Sequence, residues 1–315
     1  MPDIEEGPTV KNSRGPATLT VYPASTVKGH GANDVGIYFP EAYIPSANLD
    51  LLVYFHGLPT PCGGSNSDSI RDIWRSSTFR LREMVNKSKK NVVLVAPTLK
   101  AGGLTLDMDA EPFLRAIVGY IAARVTRSPF TWHGSTTTGA TKGEKVDPVI
   151  KIQTLILAAH SGGGTAMLKM AQELTASKFA KPRECWGLDS LYGPWSEWAD
   201  WAAGGGKYFH FWTAEGGNDK ASNGSNVTNL RALLAKASLK TSAGVGSGGT
   251  GSNARPDPDV TRAALAAPNI TITFADKPSD TTKGFVPSGG RTFKSTTSNH
   301  CNMPSTYWAD MMNSF

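Results

Sequence analysis

Ser161 stands in the run Leu155–Ala166, LILAAHSGGGTA, where an apolar stretch meets His-Ser-Gly-Gly-Gly and helix-forming residues follow. A serine hydroxyl is a weak nucleophile at its free pKa. Serine chemistry therefore needs a base beside it and a fixed, exposed position. A tight strand-to-helix turn supplies that position, provided small residues lie close on either side. Ala159 and Gly163 stand two residues before and two after Ser161. A helix that begins at once aims its N-terminal N–H groups at whatever the serine attacks. The competing reading is a glycine-rich turn opening a phosphate-binding helix. A P-loop needs a lysine after its glycines, and none follows here; a dinucleotide fingerprint needs G-x-G-x-x-G near the first strand, and that is missing too.

Other residues of the right type lie elsewhere. GLDSLYG places Asp189 at the end of an apolar run, and TAEGGND places Glu215 and Asp219 after the next one. Six histidines exist: His30, His56, His133, His160, His210 and His300. Trp195, Trp198 and Trp201 recur every third residue, on one helix face. They read either as core over a sheet or as an aromatic wall, Trp195 and Trp198 above all, that grips an acyl or aromatic group.

These residues need a scaffold, and the pattern predicts one. The runs ATLTVYP, DVGIYFP, LDLLVYFHG, NVVLVAP, IQTLILAAH, ECWGLDSL, KYFHFWTA and NITITFAD read as eight strands. Helical spacing separates them in SDSIRDIWRSSTFRLREMV, DAEPFLRAIVGYIAARV, GTAMLKMAQELTA, SEWADWAA and NVTNLRALLAKA, and STYWADMMNSF closes the chain. Asp109 and Pro112 suit the start of the second of these helices. Continuous apolar strands alternating with helices predict an α/β fold, a mostly parallel eight-stranded sheet covered on both faces. One domain, residues 1–315, accounts for the chain. Two insertions rich in small polar residues, near 127–147 and 241–258, read as surface loops or substrate-facing lids.

On this ground the pentapeptide Ala159-His160-Ser161-Gly162-Gly163 matches the nucleophile elbow G-x-S-x-G, with alanine at the first small position. The chain resembles the α/β-hydrolase superfamily over nearly its whole length, the serine following the fifth of the eight strands. Some lipases of that superfamily also carry alanine there. The resemblance implies a base late in the chain, since the order is Ser, acid, His. His300, in TSNHCNMP, is the histidine that follows the last strand. It implies that FHGLP opens half of the oxyanion hole, the backbone N–H groups of Leu58 and Gly162 being the two donors. The side chain of His56 is then expected to pack under the loop. The acid is Asp189, with Asp219 and Glu215 as alternatives after the following strand.

The function so implied is a serine hydrolase of carboxylic esters, esterase- or lipase-like, working through an acyl-enzyme without metal or organic cofactor. The substrate is a small or polymeric ester. An amidase or acyltransferase with the same triad, or a non-catalytic binder on the same fold, is the alternative. Composition agrees with a large core: 315 residues, 39% hydrophobic. The net charge of +6 is scattered without a block, which reads as a solvated basic surface more than as attraction to an anionic polymer. No nucleic-acid motif and no apolar run long enough to span a membrane is visible. A monomer is expected. The start has no basic segment followed by an apolar one, so a cytoplasmic setting is favoured, or secretion after loss of a leader. Cys62, Cys185 and Cys301 make no disulfide framework. Free thiols are the favoured reading, and a Cys62–Cys301 bridge the alternative, because both segments would flank one site.

Overall fold

The computed structural model describes residues 5–12, 15–22, 34–57, 70, 73, 79–99, 106, 108–127, 150–191, 195–212, 270–274, 301, 304–305, 308 and 311–312. Its strands are β1 (Glu5–Asn12), β2 (Gly15–Tyr22), β3 (Asp34–Tyr38), β4 (Asn48–Phe55), β5 (Val92–Pro97), β6 (Lys151–His160), β7 (Pro182–Leu188), β8 (Lys207–Trp212) and β9 (Ile270–Phe274). Its helices are α1 (Leu81–Ser88), α2 (Ala110–Arg127), α3 (Gly164–Thr175) and α4 (Trp195–Ala203). The strands form one sheet in the order β1-β2-β3-β5-β4-β6-β7-β8-β9. β1 pairs antiparallel with β2, and β3 with β5. All other neighbours run parallel. The fold is α/β on a mostly parallel, mixed sheet.

Alternation along the central strands explains why they read as continuous apolar runs. Leu51, Val53 and Phe55 of β4 and Leu155, Leu157 and Ala159 of β6 pack on one face against α2, α3 and α4. Leu52 and Tyr54, with Ile156 and Ala158, pack on the other against α1 and the C-terminal residues Trp308, Met311 and Met312. Both faces are buried, so the middle of these strands is apolar on both. α3 covers its face with Met167, Met170, Ala171 and Leu174, an i, i+3, i+4, i+7 stripe.

Two details depart from the expected pattern. Among the described residues there are nine strands, because β1 precedes the first strand expected. Its sequence EEGPTVKN is polar and holds Gly7-Pro8, and the register shifts between Glu6 and Thr9. Proline cannot donate to a ladder, which confines it to edge strands and bulges. The helix expected from residue 67 through 85 is interrupted, since Arg80 has φ +50 and α1 begins at Leu81. A left-handed residue cannot sit inside a right-handed helix. The Nε of Arg80 donates to Glu83 Oε2 at 2.6 Å, tying the side chain to the first turn of α1.

Candidate active site

β6 ends extended at His160, with φ −119° and ψ 140°. The chain then turns within one residue: Ser161 has φ +52. A short 3-10 turn, Ser161–Gly163, leads directly into α3 at Gly164. A left-handed conformation costs a non-glycine residue roughly 1–2 kcal/mol. Surroundings must therefore hold the serine there, and such strain gathers at functional positions. Ser161 and Gly162 are part-exposed, whereas His160, Gly163 and Gly164 are buried.

The glycines show what holds it. A Cβ on Gly163 would lie 2.4 Å from the carbonyl O of Phe55 and 2.7 Å from that of His56. One on Gly164 would lie 1.8 Å from the carbonyl O of Ser190, and one on Gly57 2.4 Å from Ser161 Cβ and 3.0 Å from its Oγ. The ends of β4 and β7 thus close on the turn backbone to backbone. Register completes the picture. Phe55 pairs with Ala159, and His160 with Leu188. Gly57, Ser161 and Asp189 consequently lie in a row across three adjacent parallel strands, just past their carboxyl ends.

Asp189 mirrors Ser161. It too has φ +52. It is fully buried, and its N–H donates to the carbonyl O of Phe211 at 2.6 Å. Its backbone is therefore still held by β8 just past the end of β7. Ser190 Oγ, Tyr208 Oη and His210 Nδ1 crowd around Gly187, each within 3 Å of where a Cβ there would stand.

The described histidines have structural places. Leu99 N–H donates to His56 Nε2 at 3.0 Å. His56 Nε2 is thus the acceptor, and Nδ1–H donates to the carbonyl O of Gly57 at 2.8 Å. That buried ring ties the end of β4 to the segment after β5. His160 turns its ring edge-on to Phe79, centroids 5.4 Å apart, on the α1 side of the sheet. His210 lies inside β8, fully buried, its Nδ1 3.1 Å from Tyr208 Oη. Burial holds His210 down to about 4, although the nearby Asp189 carboxylate pulls the other way.

Trp198 is buried and stacks on Tyr208, rings 4.1 Å apart and nearly parallel, with Trp201 edge-on at 5.7 Å. That is the core-packing position of the two considered. The side chain of Trp195 lies outside the described residues, as do Leu58, His300, Glu215 and Asp219 and the insertions 128–147 and 241–258. Cys185 is buried and free. Cys301 is disulfide-bonded, which corrects the expectation of free thiols at that residue. A cysteine count excludes a framework but not a single bridge. Seven residues on, Trp308 packs edge-on against Tyr54 at 5.4 Å and Trp186 at 6.1 Å.

Sequence reasoning missed the part played by Gly57, Gly164 and the backbone of Asp189. No local signal marks a glycine that makes room for a side chain more than a hundred residues away. Among the described residues no group of three or more His, Cys, Asp and Glu side chains could hold a metal ion. No described helix is long and apolar enough to cross a membrane.

No protein-family model and no curated protein matches the chain. Solved structures with a loose likeness include a hyperthermophilic esterase from the archaeon Pyrobaculum calidifontis, 15% identical, covering 60% of this chain and 47% of that one, TM-score 0.32. Esterase B from Lactobacillus rhamnosis is 9% identical, with 86% and 74% covered and a TM-score of 0.36. A hormone-sensitive lipase from a metagenome library is 11% identical, with 87% and 76% covered and a TM-score of 0.33. The chain spans about half the length of the first of these. Likenesses of this size transfer no role to any residue here.

Proposed function

We propose that the chain is a serine hydrolase of carboxylic esters built on the α/β-hydrolase plan, with the whole of residues 1–315 as one domain. The observation that supports this best is Ser161 held at φ +52 between β6 and α3. It stands in one row with Gly57 and the buried Asp189. A structural serine has no need of such a position, whereas a nucleophile does.

In this reading His300 takes the proton of Ser161 Oγ as the hydroxyl attacks the ester carbonyl. The negative charge developing on the carbonyl oxygen is met by the backbone N–H groups of Leu58 and Gly162. His300 then returns the proton to the leaving alcohol, and water clears the acyl-enzyme by the same steps. Asp189 holds the imidazole in one tautomer and stabilises the imidazolium. Three features favour Asp189 over Asp219 and Glu215. It is anchored to β8 through its N–H, it is buried, and its register places it beside Ser161. His300 is supported by chain order and by the anchoring of the C-terminal residues beyond it. Trp308 sits on Tyr54 and Trp186, each three residues short of a member of the row.

The test is labelling with a fluorophosphonate probe, together with turnover of para-nitrophenyl esters from acetate to palmitate. The wild-type protein should label and turn over, and a folded Ser161→Ala variant should do neither. A folded Ser161→Ala variant that still hydrolyses the esters would end the proposal. An unlabelled, inactive wild-type protein would favour a binder on the same fold.

A further inference from the structure

We infer that Cys301 is covalently joined to Cys62, and that this bond ties the residue next to His300 to the segment after β4, so that turnover requires the oxidised protein. The chain has three cysteines. Cys185 is free and fully buried within β7, and Cys301 is disulfide-bonded. Within one chain, Cys62 is the remaining partner. Cys62 follows Gly57, which packs on the Ser161 side chain, by five residues, at most ~18 Å of chain.

Chain lengths give the consequence. A general base must lie within hydrogen-bond reach of its serine. Upstream, the last described residue before His300 is Phe274, 26 residues away, a length that reaches ~90 Å when extended. Downstream, Cys301 is the very next residue, and Trp308, Met311 and Met312 are fully buried. The described hold on the base thus comes from its C-terminal side, by a covalent bond at one residue and an apolar anchor at eight to twelve.

A dithiol such as dithiothreitol would cleave this bond. Two electrons and two protons pass to the two sulfurs, giving two thiols, while the dithiol closes to its own disulfide. Bonds of this kind persist in oxidising surroundings, so the inference points away from the free thiols and the cytoplasmic setting that the sequence reading favours.

The effect on turnover rests on the proposed role of His300; the bond itself does not, and the experiment separates them. A non-reducing proteolytic digest is mapped by mass spectrometry. Ester turnover and thermal melting are then measured before dithiothreitol, after it, and after reoxidation. The expected results are a Cys62–Cys301 cross-linked peptide, a lower melting temperature on reduction, and a loss of about 100-fold in kcat/KM, the scale of a ~1 Å misplacement. Reoxidation should restore both. A Cys185→Ser variant should behave as wild type, and Cys62→Ser with Cys301→Ser as the reduced protein. Free Cys62 and Cys301, or a link to Cys185, overturns the inference. So does a reduced protein with unchanged turnover and melting. If the oxidised protein turns over no ester at all, the hydrolase reading fails while melting still judges the bond.

Discussion

Gly57→Ala tests the geometry around Ser161 most directly. The added Cβ would lie 2.4 Å from Ser161 Cβ, 3.0 Å from Oγ and 3.0 Å from the carbonyl O of His160, where ordinary contact begins at 3.4 Å. Something must retreat by about 1 Å. The end of β4 cannot easily do so, because Gly163 already closes on the carbonyl of Phe55 and the His56 ring ties β4 to Leu99. Ser161 therefore moves. Misplacing a reacting group by ~1 Å costs on the order of 10²-fold in rate, or about 2.7 kcal/mol of barrier. Overpacking should cost a further ~1–3 kcal/mol of stability. The assay is kcat/KM for para-nitrophenyl acetate together with the rate of fluorophosphonate labelling, with melting monitored by circular dichroism. Gly119→Ala is the control: Gly119 is exposed on α2 and a Cβ there meets nothing within 4 Å. It should keep full activity and gain about 0.5–1 kcal/mol of stability. If Gly57→Ala keeps the wild-type rate, the contact with Ser161 is not the one that positions the nucleophile.

Two further outcomes are expected. Asp189→Asn should lower kcat by about 10⁴-fold, as loss of the imidazole-orienting carboxylate does elsewhere, with the fold kept, because asparagine tolerates a left-handed φ. Near-normal turnover in that variant, with Asp219→Asn or Glu215→Gln crippled, moves the acid to the segment after β8. His210 predicts an acid sensitivity, since burial lowers it from 6.5 to about 4. On acidification the unfolded chain takes up this proton first, so stability is full above pH ~6.5 and falls as the pH drops toward ~4, by up to about 1.4 kcal/mol per unit. His210→Gln should flatten the urea-unfolding free energy over that window, and an unchanged slope refutes the assignment.

The α/β scaffold and the strand-to-helix turn at Ser161 were legible in the sequence, for physical reasons. Strands buried on both faces must be continuously apolar, as in LDLLVYF and TLILAA, and helices between them must carry a 3.6-residue stripe. A serine that has to be both exposed and fixed needs small neighbours, and Ala159, Gly162 and Gly163 are local facts. β1 was not legible, because an edge strand with Gly7-Pro8 shows no apolar alternation and is defined by its partner. The break at Arg80 was hidden for a similar reason: helical spacing continues across it, while the backbone turns.

What only the tertiary structure decided depends on contacts between distant residues. That Gly57 makes room for Ser161, that Gly164 meets the carbonyl of Ser190, and that Ser161 and Asp189 share one left-handed geometry all follow from the registers of β4, β6 and β7. Trp198 could have lined a substrate or the core. Its stacking on Tyr208 is settled by how α4 lies on β8. A sequence states which residues can be buried or strained. The packing of strands side by side determines which of them meet, because close approach is a property of pairs and not of any residue alone.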